Sequence, residues 1–388
     1  MIKHILTLVW NKKRSNVLMF LEIFVAFLIL FAVFSLSVYY MRNFRSPLGF
    51  KTTESLVVYY SLDESVDSLG RLELREQLRR EVEAMPEVHS ASFLSGVAPF
   101  SGSTWSWSND ENGFLLRSLV YPTDENYAEV ADLNLVKGRW YTEADRNGKY
   151  EVAVVNQLLK DTYFPDRPIV DSVINLGGEK KVLGIVDHFK YRDEFETEEP
   201  LTFMFYPLHD ESLNTLQVRL HPDTPVEFEQ NLNQLVARIT NRSDFVINSL
   251  ETSRIRQSRT TWVPMIAGLS ICAFLILNIA LGLFGVLFYS ISKRRAEIGL
   301  RRALGASQAE ITSQFTFEVF LVAFLAMLLA GILAVQFPLL DVVDIPSNNF
   351  YWAILLTFAI ISFVVLACAF VPSRQAAGVH PAQALHEE

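Results

Sequence analysis

In this 388-residue chain the residues whose types and spacing invite chemistry are a basic cluster, "SKRRAEIGLRRALGAS" at 292–307. Lys293, Arg294, Arg295, Arg301 and Arg302 stand there with two glycines between two of the most apolar stretches of the sequence. Cationic side chains so placed either lie on anionic lipid headgroups or dock, with their apolar neighbours, into a protein groove. Ile298, Leu300, Ala303 and Leu304 alternate with Arg301 and Arg302 as in a short amphipathic helix, Gly305 suits a C-terminal cap, and Ser307-Gln-Ala-Glu310 reads as a capping box that opens the next helix. The segment is therefore expected to be structured.

Other reactive constellations are sparse. The seven histidines, His4, His89, His188, His209, His221, His380 and His386, show no HExxH or other ligand spacing. Asp187 and His188 are adjacent, but neighbours on a strand point to opposite faces, so a surface turn is expected there. The acidic run "DEFETEE" at 193–199 reads as a solvated loop and only secondarily as a cation site. Trp105 and Trp107 suit an outer contact patch and core packing equally, and "NRS" at 241 fits the glycosylation triplet, a match common by chance. Cys272 and Cys368 both lie in apolar runs, which leaves the region between without a disulfide or a cysteine metal site. No GxxxxGK[ST] sequence occurs. The residues thus assign no catalytic group, no metal and no cofactor to this chain, and ATP hydrolysis is expected to belong to another polypeptide.

The elements that position the basic cluster follow from hydropathy. A spanning helix needs about 20 apolar residues to cross roughly 30 Å of hydrocarbon. Four runs qualify: 17–40, 263–291, 314–337 and 350–371. The first carries Glu22, whose cost of about 3 kcal/mol or less is offset by its many Leu, Ile, Phe and Val. That run is too long for a signal-peptide core and reads as an uncleaved anchor. Outside the mixed sequence between the first two runs, every Lys and Arg falls at 1–16, in the loop 292–313 or in the tail 372–388, whereas the loop 338–349 has none. Positive charge is retained on the cytoplasmic side, so both termini and the basic loop are expected inside and the region 41–262 outside. That region is net negative, which argues against nucleic acid.

Within 41–262 the order strand, helix, strand occurs twice, in about 50–99 and about 211–255, and suggests a ferredoxin-like base. Leu74, Leu78, Val82 and Met85 mark the first helix, and Phe228, Leu232, Leu235, Val236 and Ile239 the second. Short alternating segments from about 100 to 210 suggest a mostly β insert. The fold class expected is a membrane α-helical chain of four transmembrane helices with a large extracytoplasmic α+β domain between helices 1 and 2. Inside the spans, Ala326, Ala330 and Ala334 form a small-residue face that allows close helix approach, Asn278 is expected to hydrogen-bond across helices, and Glu22 and Glu318 to snorkel or pair with nearby arginine.

"RRAEIGLRRALGASQAEI" resembles the cytoplasmic signature of the MacB/FtsX superfamily of ABC transporter permeases, roughly R-E-I-G-[IL]-R-[KR]-A-[LV]-G-A-[ST]. The carboxyl end "VPSRQAAGVHPAQALHEE" is similar to that family's closing motif, and "LNLVKGRWYTEAD", "EVAVVNQLL" and "KKVLGIVDHFK" resemble its periplasmic core domain. Two features depart from the pattern: "PIVDSV" stands in place of a P-I-G-[KQ] turn, and a fused ATPase domain is missing. The resemblance implies a coupling helix that contacts a separate ATPase through Glu297, Ile298, Gly299, Arg301, Arg302, Ala303, Leu304, Gly305 and Ala306. It implies, as partners, a cytoplasmic ABC ATPase dimer carrying ATP and Mg, a second permease copy or a related permease, a periplasmic membrane-fusion protein and membrane lipid, at a bacterial inner membrane. The implied function is mechanotransmission, in which ATP hydrolysis moves the outer domains to export drug, peptide or lipoprotein cargo. The alternative is an FtsX-like scaffold that activates an envelope hydrolase or sensor kinase without transport.

Overall fold

The computed structural model describes residues 13–377 apart from Glu64, Val97, Asn112, Gly113, Asp341, Val342 and Asp344. Most of the expected amino-terminal helix at 1–16 and of the tail at 372–388 lies outside the described residues. The elements in chain order are α1 (Lys13–Phe44), β1 (Ser55–Tyr59), α2 (Ser68–Glu83), β2 (Val88–Ser95), β3 (Trp105–Glu111), β4 (Phe114–Thr123) and α3 (Tyr127–Ala131). There follow β5 (Leu135–Gly138), β6 (Glu151–Asn156), α4 (Gln157–Tyr163), β7 (Val173–Asn175), β8 (Glu179–Val186), β9 (Leu201–Phe205), β10 (Leu213–Leu220), α5 (Phe228–Thr240) and β11 (Val246–Ser249). The chain closes with α6 (Leu250–Lys293), α7 (Arg295–Ala303), α8 (Gln308–Ala334), α9 (Gln336–Leu339) and α10 (Ser347–Ala377). It divides into two units, Arg42–Thr261 and the remainder on either side of it.

In the remainder, four helices are long and apolar enough to cross a membrane, over Val17–Phe44, Leu250–Lys293, Gln308–Leu339 and Ser347–Arg374. Their shared interior is made of Ile23, Phe27 and Leu30 from α1, Ile279 and Leu283 from α6, Ala326, Met327 and Ala330 from α8, and Ile361 and Val365 from α10. The outward sides remain apolar, as Phe274, Leu281 and Phe363 are all exposed, which suits helices solvated by lipid. The second helix begins well before the apolar run at 263–291. Its 44 residues would measure roughly 66 Å at the helical rise, about twice the hydrocarbon thickness. Only its carboxyl-terminal half can therefore be membrane, and the polar turns from Leu250 belong to the outer unit.

In the unit 42–261, eleven strands join one sheet in the order β11-β1-β10-β2-β4-β9-β6-β8-β5, with β3 on β4 and β7 on β8. The first four of that order are antiparallel throughout and carry α2 and α5. α2 starts where Asp67 accepts from the Gly70 amide at 2.8 Å and stops before Pro86. Leu78 and Val82 from α2 and Phe228, Leu232 and Val236 from α5 bury against Val58, Phe93, Leu216 and Val218. Each fully buried side chain contributes about 1.5–3 kcal/mol. Leu74, expected on that inner face, is only half-buried, and Arg75 takes the position at 1% exposure. Its guanidinium is satisfied by the Tyr60 hydroxyl at 3.2 Å and by the carbonyls of Leu208 and Asp210, both at 2.5 Å.

The segment 100–210 is mainly β, yet it is not a separate sheet. It continues the first one through a single register pair, Leu94 with Thr123. Asp124 reinforces that seam: its carboxylate accepts from the Ser92 hydroxyl at 2.6 Å and the Phe93 amide at 2.7 Å, and pairs with Arg79 of α2. Beyond the seam the order includes two parallel pairs, β4 with β9 and β6 with β8. Trp105 is 46% exposed, whereas Trp107 is half-buried and covers Gly177, so the two tryptophans do not act as one patch.

The turn after β5 holds a self-contained ion pair. Arg139 donates to both oxygens of Asp145 at 2.6 and 2.7 Å, and Asp145 also accepts from the Thr142 amide at 2.9 Å as half of a capping box. The guanidinium and these donors hold the Asp145 carboxyl well below the usual aspartate range. A depressed folded value adds stability that is present above the ordinary value near 3.9 and fades as pH falls through the folded one. Asp145→Asn should thus cost about 1 kcal/mol at neutral pH, less than a buried charge-assisted bond because the Arg139 side chain is half exposed and screened by solvent. The two proteins should converge in chemical unfolding as the pH is lowered below about 4; a constant difference across that range would remove the ion pair as the cause.

Candidate functional site

The basic segment folds as α7, and its apolar residues decide which way it faces. Ile298 is 4% exposed and packs on Ile311 and Phe315 of α8. Gly305 turns the chain at φ +100°, a conformation that glycine adopts without strain, and Ser307 with Glu310 forms a reciprocal capping box at 3.2 and 2.8 Å. α7 and the first turns of α8 thus form a stiff hairpin. A side-chain relay holds the same junction. Arg301 donates to Glu297 at 2.6 Å and to Gln314 at 2.9 Å, Gln314 donates to Glu318 at 3.3 Å, and Arg294 pairs with Glu318 at 3.2 Å.

The expected site residues therefore divide. Ile298 and Gly299 face the protein, Glu297 and Arg301 serve the relay, and Arg302 donates to the Ala306 carbonyl at 3.2 Å. Ala303, Leu304 and Gly305 are exposed, and so is Leu300, absent from the resemblance-derived set. Leu300 at 53% and Leu304 at 79% exposure, with Ala303 between them, form an apolar stripe at i, i+3, i+4 that points away from the chain. The i, i+4 spacing of the leucines was the available signal. Glu318, expected to pair or snorkel, is paired. Glu22 lies against Gly282, where a Cβ would sit 2.9 Å from its carboxylate oxygen, so the glycine makes room for it.

Two span residues resolve differently. Ala326, Ala330 and Ala334 are all fully buried, and the helix bearing them packs chiefly on α10. Asn278 does not bond across helices within this chain: its amide donates to the Phe274 carbonyl of its own helix at 2.9 Å. An i−4 carbonyl is always in reach of a polar side chain on a helix.

A second cluster occupies the root of the outer unit. The run 193–199 is not a solvated loop: Phe195 is fully buried and Asp193 is 3% exposed. Asn43, just before the end of α1, donates to the Phe195 carbonyl at 2.9 Å. Lys190, itself 4% exposed, donates to the Asn43 carbonyl at 2.5 Å and to the Glu194 carbonyl at 3.2 Å. On the other side Glu194 accepts from Ser258 at 2.7 Å and Asp193 from Thr261 at 3.3 Å, both residues of α6. One loop therefore grips both helices by which the chain enters and leaves this unit. Burial pushes the Lys190 ammonium below its ordinary value, while Glu198, Glu194 and Asp193 pull it back. The single Phe within the acidic run was the clue to its burial.

Asp187 and His188 lie in a turn after the buried strand β8, as expected, and the imidazole there is flanked by Glu198 at 2.8 Å and Asp187 at 3.4 Å. Glu198 is committed to structure, since its other oxygen accepts from the Phe189 amide and from Asn156, both at 2.9 Å. No group of three or more His, Cys, Asp or Glu suited to a metal occurs among the described residues.

Comparison with known proteins agrees with this division. Residues 17–244 match the model of the MacB-like periplasmic core domain, and residues 269–381 that of the FtsX-like permease C-terminal. The macrolide export ATP-binding/permease protein MacB of Neisseria meningitidis is 25% identical over 309 residues, covering 76% of this chain and 47% of that protein. The protein of the same description from Vibrio parahaemolyticus is 26% identical over 317 residues, covering 77% and 47%. The chain spans about half the length of these relatives. Among solved structures, the periplasmic region of MacB from Actinobacillus actinomycetemcomitans aligns with a TM-score of 0.38 at 16% identity, covering 56% of this chain and 97% of that one. With four apolar helices, an extracytoplasmic domain inserted in sequence between the first two, and both family models matched in the order in which those parts occur, the chain belongs to the MacB/FtsX family of ABC transporter permeases.

Proposed function

We propose that this chain is the membrane subunit of a mechanotransmission ABC transporter, in which a separate cytoplasmic ATPase moves α7 and thereby the outer domain. The observation that carries the reading is the two-sidedness of α7. Its inner face is fastened to α8 by Ile298 and the Arg301–Gln314–Glu318–Arg294 relay, and its outer face offers Leu300 and Leu304. A handle needs both properties, rigid attachment and an apolar contact that a partner groove can bury. Because α7 follows α6 directly, displacement at Lys293 is carried along one helix to Leu250, where Glu194 and Asp193 hold its first turns.

The interior of the bundle, built of residues such as Phe27, Leu30, Leu283, Met327 and Ile361, supports handling of cargo outside the membrane over a watery path through it. Drug, peptide or lipoprotein export is the reading of that cargo, with a second permease copy and a periplasmic partner completing the assembly. The test is topological and biochemical. A single cysteine at position 304, on a background lacking Cys272 and Cys368, should react with a membrane-impermeant thiol reagent only after the cells are opened, and an ABC ATPase should copurify. Reaction in intact cells, or purified complexes free of any nucleotide hydrolase, would refute it.

A further inference from the structure

At the end of the bundle next to α7, the first turns of α8 and the last turns of α10 part to leave a cleft of about 580 Å³. Its lining is stratified. Gln308, Ser313, Thr316 and Arg374 lie at the polar end, and Phe320, Leu366 and Phe370 form the apolar walls beyond. The Thr316 hydroxyl is buried without a hydrogen-bond partner. Arg374 is exposed and, among the described residues, makes no ion pair and has no acidic side chain beside it in the cleft lining. From Gln308 to Phe320 the cleft follows α8 for about 18 Å by the helical rise, long enough for a headgroup and the upper part of an acyl chain. We propose that this cleft binds one anionic phospholipid, its phosphate on Arg374 with the exposed Ser313 hydroxyl, and one acyl chain along Phe320, Leu366 and Phe370.

The chemistry favours that occupant for two reasons. A guanidinium at a membrane surface attracts anionic headgroups about fivefold, and basic pockets between spanning helices are where such headgroups lodge. The apolar half, walled by Phe320, Leu366 and Phe370, suits an acyl chain, and a soluble anion would fill only the polar end. The proposal does not depend on which membrane face α7 occupies or on what drives it, so it stands or falls apart from the reading above.

The test uses the full chain, delipidated in detergent and titrated with phosphatidylglycerol or phosphatidylcholine, with native mass spectrometry counting retained lipid. One phosphatidylglycerol should be retained in preference to phosphatidylcholine, and Arg374→Gln should weaken its retention about fivefold. Leu366→Trp, which fills the apolar half, should displace it although the arginine remains. Arg45→Gln, at the far end of α1, should leave retention unchanged. Equal retention of the two lipids, or equal losses in Arg374→Gln and Arg45→Gln, would reduce the binding to a non-specific annulus and overturn the proposal. Displacement by millimolar glycerophosphate would show a soluble-anion site and overturn the lipid assignment. Circular dichroism of both cleft variants should match the parent; if either is unfolded, Phe370→Ala, which removes part of the apolar wall, should weaken phosphatidylglycerol retention in its place, and unchanged retention would overturn the proposal.

Discussion

Leu300→Asp combined with Leu304→Asp should abolish productive association with the ATPase while leaving the chain folded and inserted. Both side chains are exposed, at 53% and 79%, so their replacement removes no contact within this chain. If they are the anchors that a partner groove buries, their loss costs 2 kcal/mol or more, about a thirtyfold weakening, because anchors of this type carry most of an interface. A carboxylate at either position would also be desolvated on docking. The measurement is ATPase binding to the detergent-solubilised chain, with ATPase turnover recorded in the reconstituted complex. Ile298→Ala supplies the contrast, since it should loosen α7 from α8 by about 2–5 kcal/mol, the cost of emptying a core site. Binding would then survive with coupling lost. Undiminished ATPase binding by the double aspartate variant would place the contact elsewhere.

The second large effect is expected at Lys190. Lys190→Met keeps the length of the side chain but removes the buried ammonium, leaving the Asn43 and Glu194 carbonyls without that donor and Glu194 with Arg254, at 3.8 Å, as its remaining ion-pair partner. Removing one member of such a buried charged cluster costs about 3 kcal/mol or more. The loss should be local to the grip on the two helices, because the neighbouring stack of Phe195 on Phe44 is untouched. Hydrogen exchange read by mass spectrometry should quicken by about two orders of magnitude at 43–50 and 190–199, while β1, β10 and β2 keep their protection. In the reconstituted transporter, ATPase binding should persist and transport should fall. If exchange at the root stayed as slow as in the parent, the loop would not be the fastening that joins the two helices.

Much of the fold was legible because it rests on long-range uniformity. Four runs of apolar residues fix four spanning helices regardless of what packs on them, since hydrocarbon tolerates no other backbone. The polar turns that extend the second helix back to Leu250 were not legible from hydropathy, which reports where lipid ends and not where a helix does. The basic segment announced a short helix ended at Gly305 and a next helix opened by the Ser307–Glu310 capping box, because those signals lie within one or two turns of each other. Strand order was beyond reach, as the single pair Leu94–Thr123 that fuses insert and base brings together residues far apart in sequence.

By itself, then, the sequence determined the membrane architecture, the outer domain between the first two helices, and the basic helix whose motif marks the family. Periodicity, charge bias and local capping are properties of neighbouring residues and survive in a linear reading. The tertiary structure decided which side chains face out. It turned Ile298 inward and left Leu300 outward, drew an acidic run into a core around Phe195, and put Arg75 where Leu74 was expected. Each of those outcomes depends on partners brought close only by folding: Ile311 and Phe315 for Ile298, Asn43 and Ser258 for the acidic run, and the carbonyls of Leu208 and Asp210 for Arg75. A polar group's preference for burial is set by the donors and acceptors that meet it, and these are not written next to it in the chain.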